Sequence, residues 1–110
     1  MPPRNNPLKL NPLQLRTLTL LQAMAQTSQP NGAGEVAIQQ FPQAHGDHFH
    51  LGDAVVAGKD ATGLFNEAVW NALTRKGLAR ADYPRELVLT PVGLSYDTGL
   101  ADEILHRSSH

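Results

Sequence analysis

The stretch "DATGLFNEAVWNALTRKG", followed at once by "LARADYPRELVLTP", limits most tightly what this chain can fold into. Leu64, Phe65, Ala68, Val69, Ala72 and Leu73 recur at helical spacing and predict one core-facing stripe. Asp60 or Thr62 stands where it can cap the start, and Gly77 suits the left-handed residue that ends many helices. Arg75 and Lys76 fall in the last turn, where the helix dipole favours cations. Leu78 and Ala79 then begin a strand, "ADYPRE" makes the turn, "LVLT" returns, and Pro91 stops it. A helix over 62–76 that runs straight into a β-hairpin has to share one core with it, so the expected class is α+β.

The remainder of the chain supplies the partners for that unit. Residues 1–10 are rich in Pro and Asn and predict a flexible arm. Asn11 and Pro12 make a good helix start, an Asn cap followed by Pro at the first helical position. Leu13, Leu15, Leu18, Leu20, Leu21, Met24 and Ala25 then cover a wide arc of that helix. A helix apolar over such an arc is covered on more than one side, either by its own chain or by a second subunit. Residues 27–34 read as a loop. In "EVAIQQF" and "HFHLGDAVV" apolar residues alternate, with Val36 and Ile38 on one face and Phe49 and Leu51 on another. A β-hairpin turning at "PQAHGD" is one reading; a short helix over "GDAVVAGKD" ending at Gly58 is the other, with Val55, Val56 and the two glycines favouring strand. "YDTGLADEILHR" predicts a short terminal helix with Leu100, Ile104 and Leu105 on its apolar side. The expected organisation is an arm over 1–10, a domain over 11–96, and a short helix and tail over 97–110.

Composition narrows the function classes. The chain has 110 residues, 41% of them apolar and 17% charged, enough for one domain with a real core. Its formal net charge is −1, so the basic excess of a dedicated nucleic-acid binder has to be sought locally. Cysteine is absent, which excludes disulfides and thiolate metal sites. No apolar run approaches the roughly 20 residues that span a bilayer. "MPPRNNP" has no apolar segment behind it that would make a secretory signal, so a cytoplasmic protein is expected.

The order of capped helix, "LTRKGLAR", polar tip and "LVLTPVG" resembles the winged helix-turn-helix domains of bacterial regulators of the multiple-antibiotic-resistance and phenolic-acid types (MarR-like and PadR-like). The residues that carry the resemblance are Leu73, Lys76, Gly77, Leu78, Arg80, Leu89, Thr90 and Gly93, and it runs from Ala61 to Tyr96. It implies a winged helix with a recognition helix at 62–76 that enters a major groove of double-stranded DNA, and a wing whose Arg85 reaches a backbone or minor groove. It implies transcription regulation as the function. The Leu-rich first helix and the terminal helix are the surfaces expected to form a homodimer.

At 100° per residue, the face opposite the core stripe carries Asn66, Glu67, Trp70, Asn71 and Thr74. Asn66, Asn71 and Thr74 suit base edges. Arg75, Lys76, Arg80 and Arg85 form a local basic cluster that would flank a groove, diluted by Asp82 and Glu86. The plainer reading of that cluster is a solvated surface with helix-dipole complementation. Glu67 and Trp70 do not suit a phosphate-lined groove. An outward Trp marks an interface, so Glu67 and Trp70 define the alternative function, a winged-helix module that docks a protein partner. The plain reading of Trp70 is that it packs under the wing or the terminal helix of its own chain.

His45, Asp47, His48 and His50 fall within six residues. On a strand His48 and His50 share a side, which is how two imidazoles come to hold one metal ion, with His45 or Asp47 as a third ligand. An exposed hairpin face, or one that responds to pH, explains the same residues without metal. No sequence motif asks for a cofactor. "AGKDATG" lacks the glycine-rich approach of a phosphate loop, and no nucleophile elbow or paired carboxylates are present, so an enzyme is not expected.

Overall fold

Asn11 and Pro12 do begin the first helix. In the computed structural model, which describes residues 6–26, 28–41, 48–51, 54–100 and 104–107, helix α1 runs Pro12–Ala25. Asn11 Oδ1 accepts from the Gln14 backbone N–H at 2.7 Å, and Gln14 Oε1 accepts from the Asn11 N–H at 3.0 Å. This reciprocal capping box satisfies two donors that a helix start otherwise leaves open.

Two antiparallel sheets accompany the helices. The first has strand order β1 (Val36–Ile38), β5 (Glu86–Leu89), β4 (Ala79–Asp82). The second has order β2 (His48–Leu51), β3 (Ala54–Ala57), β6 (His106–Arg107). Between β3 and β4 in the chain come two 3-10 turns, Gly58–Asp60 and Thr62–Phe65, then helix α2, Glu67–Arg75. After β5 comes the short helix α3, Pro91–Ser95. The coarse class is α+β, as expected from the sequence.

The main core lies between α1, α2 and the first sheet. Leu18, Leu20, Leu21, Leu64, Trp70, Leu73, Leu78, Leu87 and Leu89 are all fully buried in it. At 1.5–3 kcal/mol for each large apolar side chain, this group contributes on the order of 20 kcal/mol against chain entropy. The wide apolar arc of α1 is used within one chain, since the helix packs on α2, β1, β5 and α3. The arc therefore no longer calls for a second subunit, which removes the feature on which a dimer through this helix was expected. Two polar ties fix α1 to the segment after the β4–β5 hairpin. Thr19 Oγ1 bonds Thr98 Oγ1 at 2.6 Å in a buried pair. Gln22 Nε2 donates to the carbonyls of Gly93 and Tyr96 at 2.9 and 2.7 Å.

Several sequence expectations are corrected by this arrangement. Residues 6–10 are not a free arm. Leu10 is buried, Asn6 brackets it through both backbone polar atoms, and the Tyr96 hydroxyl bonds the Asn6 side chain and accepts from the Leu8 N–H. The strands over 36–38 and 48–51 form, but not with each other. β1 pairs with β5 and β2 pairs with β3, because Val36 and Ile38 bury against the main core only in register with Leu89 and Leu87. The alternative helix over "GDAVVAGKD" is overturned, since 54–57 is strand and 58–60 a 3-10 turn. In the tail, Ile104 closes one turn onto Leu100, but His106–Arg107 is a strand paired with β3 and not part of a terminal helix.

Candidate nucleic-acid interface

The helix expected over 62–76 is two pieces. Asn66 has extended backbone, φ −119° and ψ 107°, and separates the 3-10 turn from α2. Its Oδ1 accepts from the Ala68 N–H at 3.0 Å, so Asn66 is the cap in place of Asp60 or Thr62. Glu67 occupies the first turn, where an acid complements the dipole. Starting the helix at 67 shifts the buried face to Val69, Trp70, Ala72 and Leu73. Phe65, expected in the core, is 53% exposed, and Ala68 is exposed too.

Trp70 is therefore not on the outer face. It is 0% exposed, and its ring lies against Phe41 at 5.4 Å and edge-on to Tyr83 at 4.8 Å. Its indole N–H donates to the Leu64 carbonyl at 3.0 Å, which satisfies the one polar atom buried with it. The partner-interface role expected of Trp70 is corrected: Trp70 packs under the hairpin tip of its own chain. Glu67 remains exposed but has lost its aromatic neighbour.

The end of α2 is built by the residues that carried the sequence resemblance. Gly77 has φ +78°, with its N–H on the Thr74 carbonyl and the Leu78 N–H on the Leu73 carbonyl, a Schellman closure. Thr90 Oγ1 donates to the Gly77 carbonyl at 2.7 Å and accepts from the Gly93 N–H at 3.1 Å. One hydroxyl thus ties the end of α2 to the start of α3. Gly93 is required by contact, because a Cβ there would stand 2.0 Å from the Leu78 carbonyl oxygen.

The outward face of α2 carries Glu67, Ala68, Asn71, Thr74 and Arg75, with Lys76 at its cap. All of these are exposed. Asn66 is exposed as well, but its side-chain oxygen is committed to the cap, and Thr74 Oγ1 donates back to the Trp70 carbonyl at 2.9 Å. The basic cluster divides in two. Arg80 pairs with Glu35 at 2.6 Å, and Arg85 pairs with Asp82 at 2.9 Å within the hairpin tip. The Arg80 guanidinium, and then the Asn31 amide, hold the Glu35 carboxyl below the usual glutamate range. Among the described residues Arg75 and Lys76 make no ion pair.

The sequence reading missed Glu35 and Tyr83. Tyr83 OH donates to the Phe65 carbonyl at 2.7 Å and so holds the hairpin tip against the break before α2. No local motif signals either contact. The start of α2 did have a signal, an Asn followed by an acid at 66–67, the pattern of a cap and first turn.

His45 and Asp47 lie outside the described residues, and His48 and His50 fall on strand β2. Among the described residues no group of three or more His, Asp or Glu side chains is set to hold a metal ion. No helix among them is long and apolar enough to cross a membrane. No family model, curated protein or solved structure matches this chain.

Proposed function

We propose that the chain is a winged-helix module that binds double-stranded DNA through the outer face of α2, as a transcription regulator would. The observation that carries this reading is the burial of Trp70. It leaves α2 with Asn71, Thr74, Arg75 and Lys76 outward in its later turns, side chains suited to base edges and phosphates, while Glu67, which does not suit a phosphate-lined groove, is confined to the first turn. The same burial removes Trp70 as the anchor of a protein-docking face, and the exposed aromatic that remains, Phe65, lies before the helix.

The strand order supports the fold part of the reading. Strand β1 pairs with the return strand of the hairpin, and α2 feeds directly into that hairpin, the arrangement of a winged helix. The β2–β3 hairpin and the two 3-10 turns take the chain segment that a second helix fills in that fold. The hairpin tip contributes little to binding, since Arg85 is held by Asp82 and Tyr83 by the Phe65 carbonyl. Affinity then rests on few phosphate contacts and is modest.

The test is a titration of the full chain against a labelled mixed-sequence duplex at low salt. Binding that weakens linearly with the logarithm of salt concentration supports the proposal. No binding to duplex at low salt removes it.

A further inference from the structure

Asn31 is followed by Gly32 in an exposed turn ahead of β1. The other asparagines, Asn5, Asn6, Asn11, Asn66 and Asn71, are followed by Asn, Pro, Pro, Glu and Ala. The turn is closed by its own backbone. The Asn31 N–H donates to the Glu35 carbonyl at 2.8 Å, and the Gly34 N–H donates to the Asn31 carbonyl at 3.0 Å. The Asn31 side chain is fixed within it. Its Oδ1 accepts from the Ala33 N–H at 2.8 Å and from the Glu35 N–H at 3.0 Å. Its Nδ2 donates towards Glu35 Oε1 at 3.4 Å. Two backbone donors on one atom make that atom the amide oxygen. Reaching forward to Ala33 folds the carboxamide carbon over the peptide nitrogen of Gly32, which lies between the two residues in the chain. Nothing stands within 4 Å of the place where Gly32 would carry a Cβ, so no side chain of its own and no neighbour on that side screens the approach.

We propose that Asn31 and Gly32 form a self-modification site, at which the fold converts Asn31 to aspartate and isoaspartate. The Gly32 nitrogen gives up its proton to water and bonds to Cγ of Asn31. Negative charge gathers on Oδ1 as that carbon becomes tetrahedral, and the Ala33 and Glu35 N–H groups already point at this oxygen. Donors held in place where charge develops lower the barrier. The Cγ–Nδ2 bond then breaks, and Nδ2 takes a proton from water and leaves as ammonia. A cyclic imide remains. Water opens it at Cγ to give aspartate, or at the main-chain carbonyl carbon of Asn31 to give isoaspartate. Water is the only co-reactant. The product changes the surroundings of Arg80. A carboxylate oxygen replaces the amide nitrogen that faced Glu35, and the new negative charge lies beside the Glu35–Arg80 pair. Isoaspartate also adds a methylene to the main chain, within the turn that the Asn31–Glu35 bond closes. The conversion therefore acts on both the charge and the closure of the segment that leads into β1. It is separate from the outer face of α2 and does not depend on duplex binding.

The full chain is held at neutral pH and sampled over days, folded in buffer and unfolded in guanidinium chloride. Intact mass follows the exchange of amide for acid. Peptide mapping by mass spectrometry locates it, with electron-based fragmentation to separate aspartate from isoaspartate. Conversion at Asn31 is expected, faster in the folded chain than in the unfolded one, with the other asparagines lagging behind. Gly32→Ala places a methyl group in open space on backbone that is not left-handed, and it is expected to lose most of the conversion. Fluorescence of the buried Trp70 verifies that this variant is folded. The comparison of folded with unfolded wild-type chain decides the matter even where the variant fails that check. Conversion of Asn31 that is absent, or no faster in the folded chain, overturns the proposal. So does a folded Gly32→Ala chain that converts at the wild-type rate.

Discussion

The indole of Trp70 and the ring of Tyr83 meet edge to face, with centroids 4.8 Å apart and planes at 86°. The pair joins α2 to the tip of the hairpin that comes after it. Each ring also carries a donor to the break before α2. The Trp70 indole N–H bonds the Leu64 carbonyl, and the Tyr83 hydroxyl bonds the Phe65 carbonyl. Two carbonyls that a kink would leave open are thereby satisfied, and the angle between helix and hairpin is fixed.

Removing that junction in steps separates its parts. Tyr83→Phe keeps the ring contact and loses the bond to Phe65, with an expected cost of about 0.5–1.5 kcal/mol. Trp70→Ala empties a fully buried site and costs about 3–5 kcal/mol. Urea unfolding followed by circular dichroism measures both. Equal costs for the two variants would contradict the assignment of Trp70 to the core.

Two glycines are required for different reasons, and alanine distinguishes them. Gly93 has ordinary backbone but faces the Leu78 carbonyl, where a Cβ would approach to 2.0 Å. Gly77 has open space around it but φ +78°. Gly77→Ala is expected to cost about 1–2 kcal/mol from the left-handed backbone alone. Gly93→Ala costs more, because backbone on both sides has to shift. Thermal melts of the two variants test the order.

Glu35 titrates below an ordinary glutamate because of Arg80 first and Asn31 second. A folded value below the unfolded one means that the stabilisation is present above the unfolded pKa and is lost as pH falls through the folded one. NMR titration of the Glu35 carboxyl should show the lowered midpoint, and Arg80→Ala should return it towards the ordinary range. The same pair withholds a cation from any anionic partner. Glu35→Gln is therefore expected to tighten duplex binding several-fold and to steepen its salt dependence by about 0.9 per cation released.

The reach of the sequence had physical limits. Local signals were legible: Asn11 and Pro12 at the start of α1, Gly77 at the end of α2, and the β4–β5 hairpin. Each is set by residues within one turn or one strand. The pairing of β1 with β5 was not legible, because Val36 and Leu89 are distant in sequence and alternation says nothing of the partner. The outer face of α2 was misjudged through phase. Running the helix back through Asn66 rotated Trp70 outward and Phe65 inward, whereas the extended backbone at Asn66 resets the wheel. The pairing of Arg80 with Glu35 also required the tertiary fold.

The central claim is that the outer face of α2 touches duplex DNA through Arg75 and Lys76. It is tested most directly by fluorescence anisotropy of a labelled duplex over a salt series, with the wild-type chain and two double variants. The wild type should give a slope of log affinity against log salt of about −2, the value for two phosphate contacts. Arg75→Ala with Lys76→Ala should abolish most of the binding and flatten that slope, while Arg80→Ala with Arg85→Ala should leave both nearly unchanged. Binding that depends on Arg80 and Arg85 instead, or that is absent from the wild type at low salt, would contradict the account.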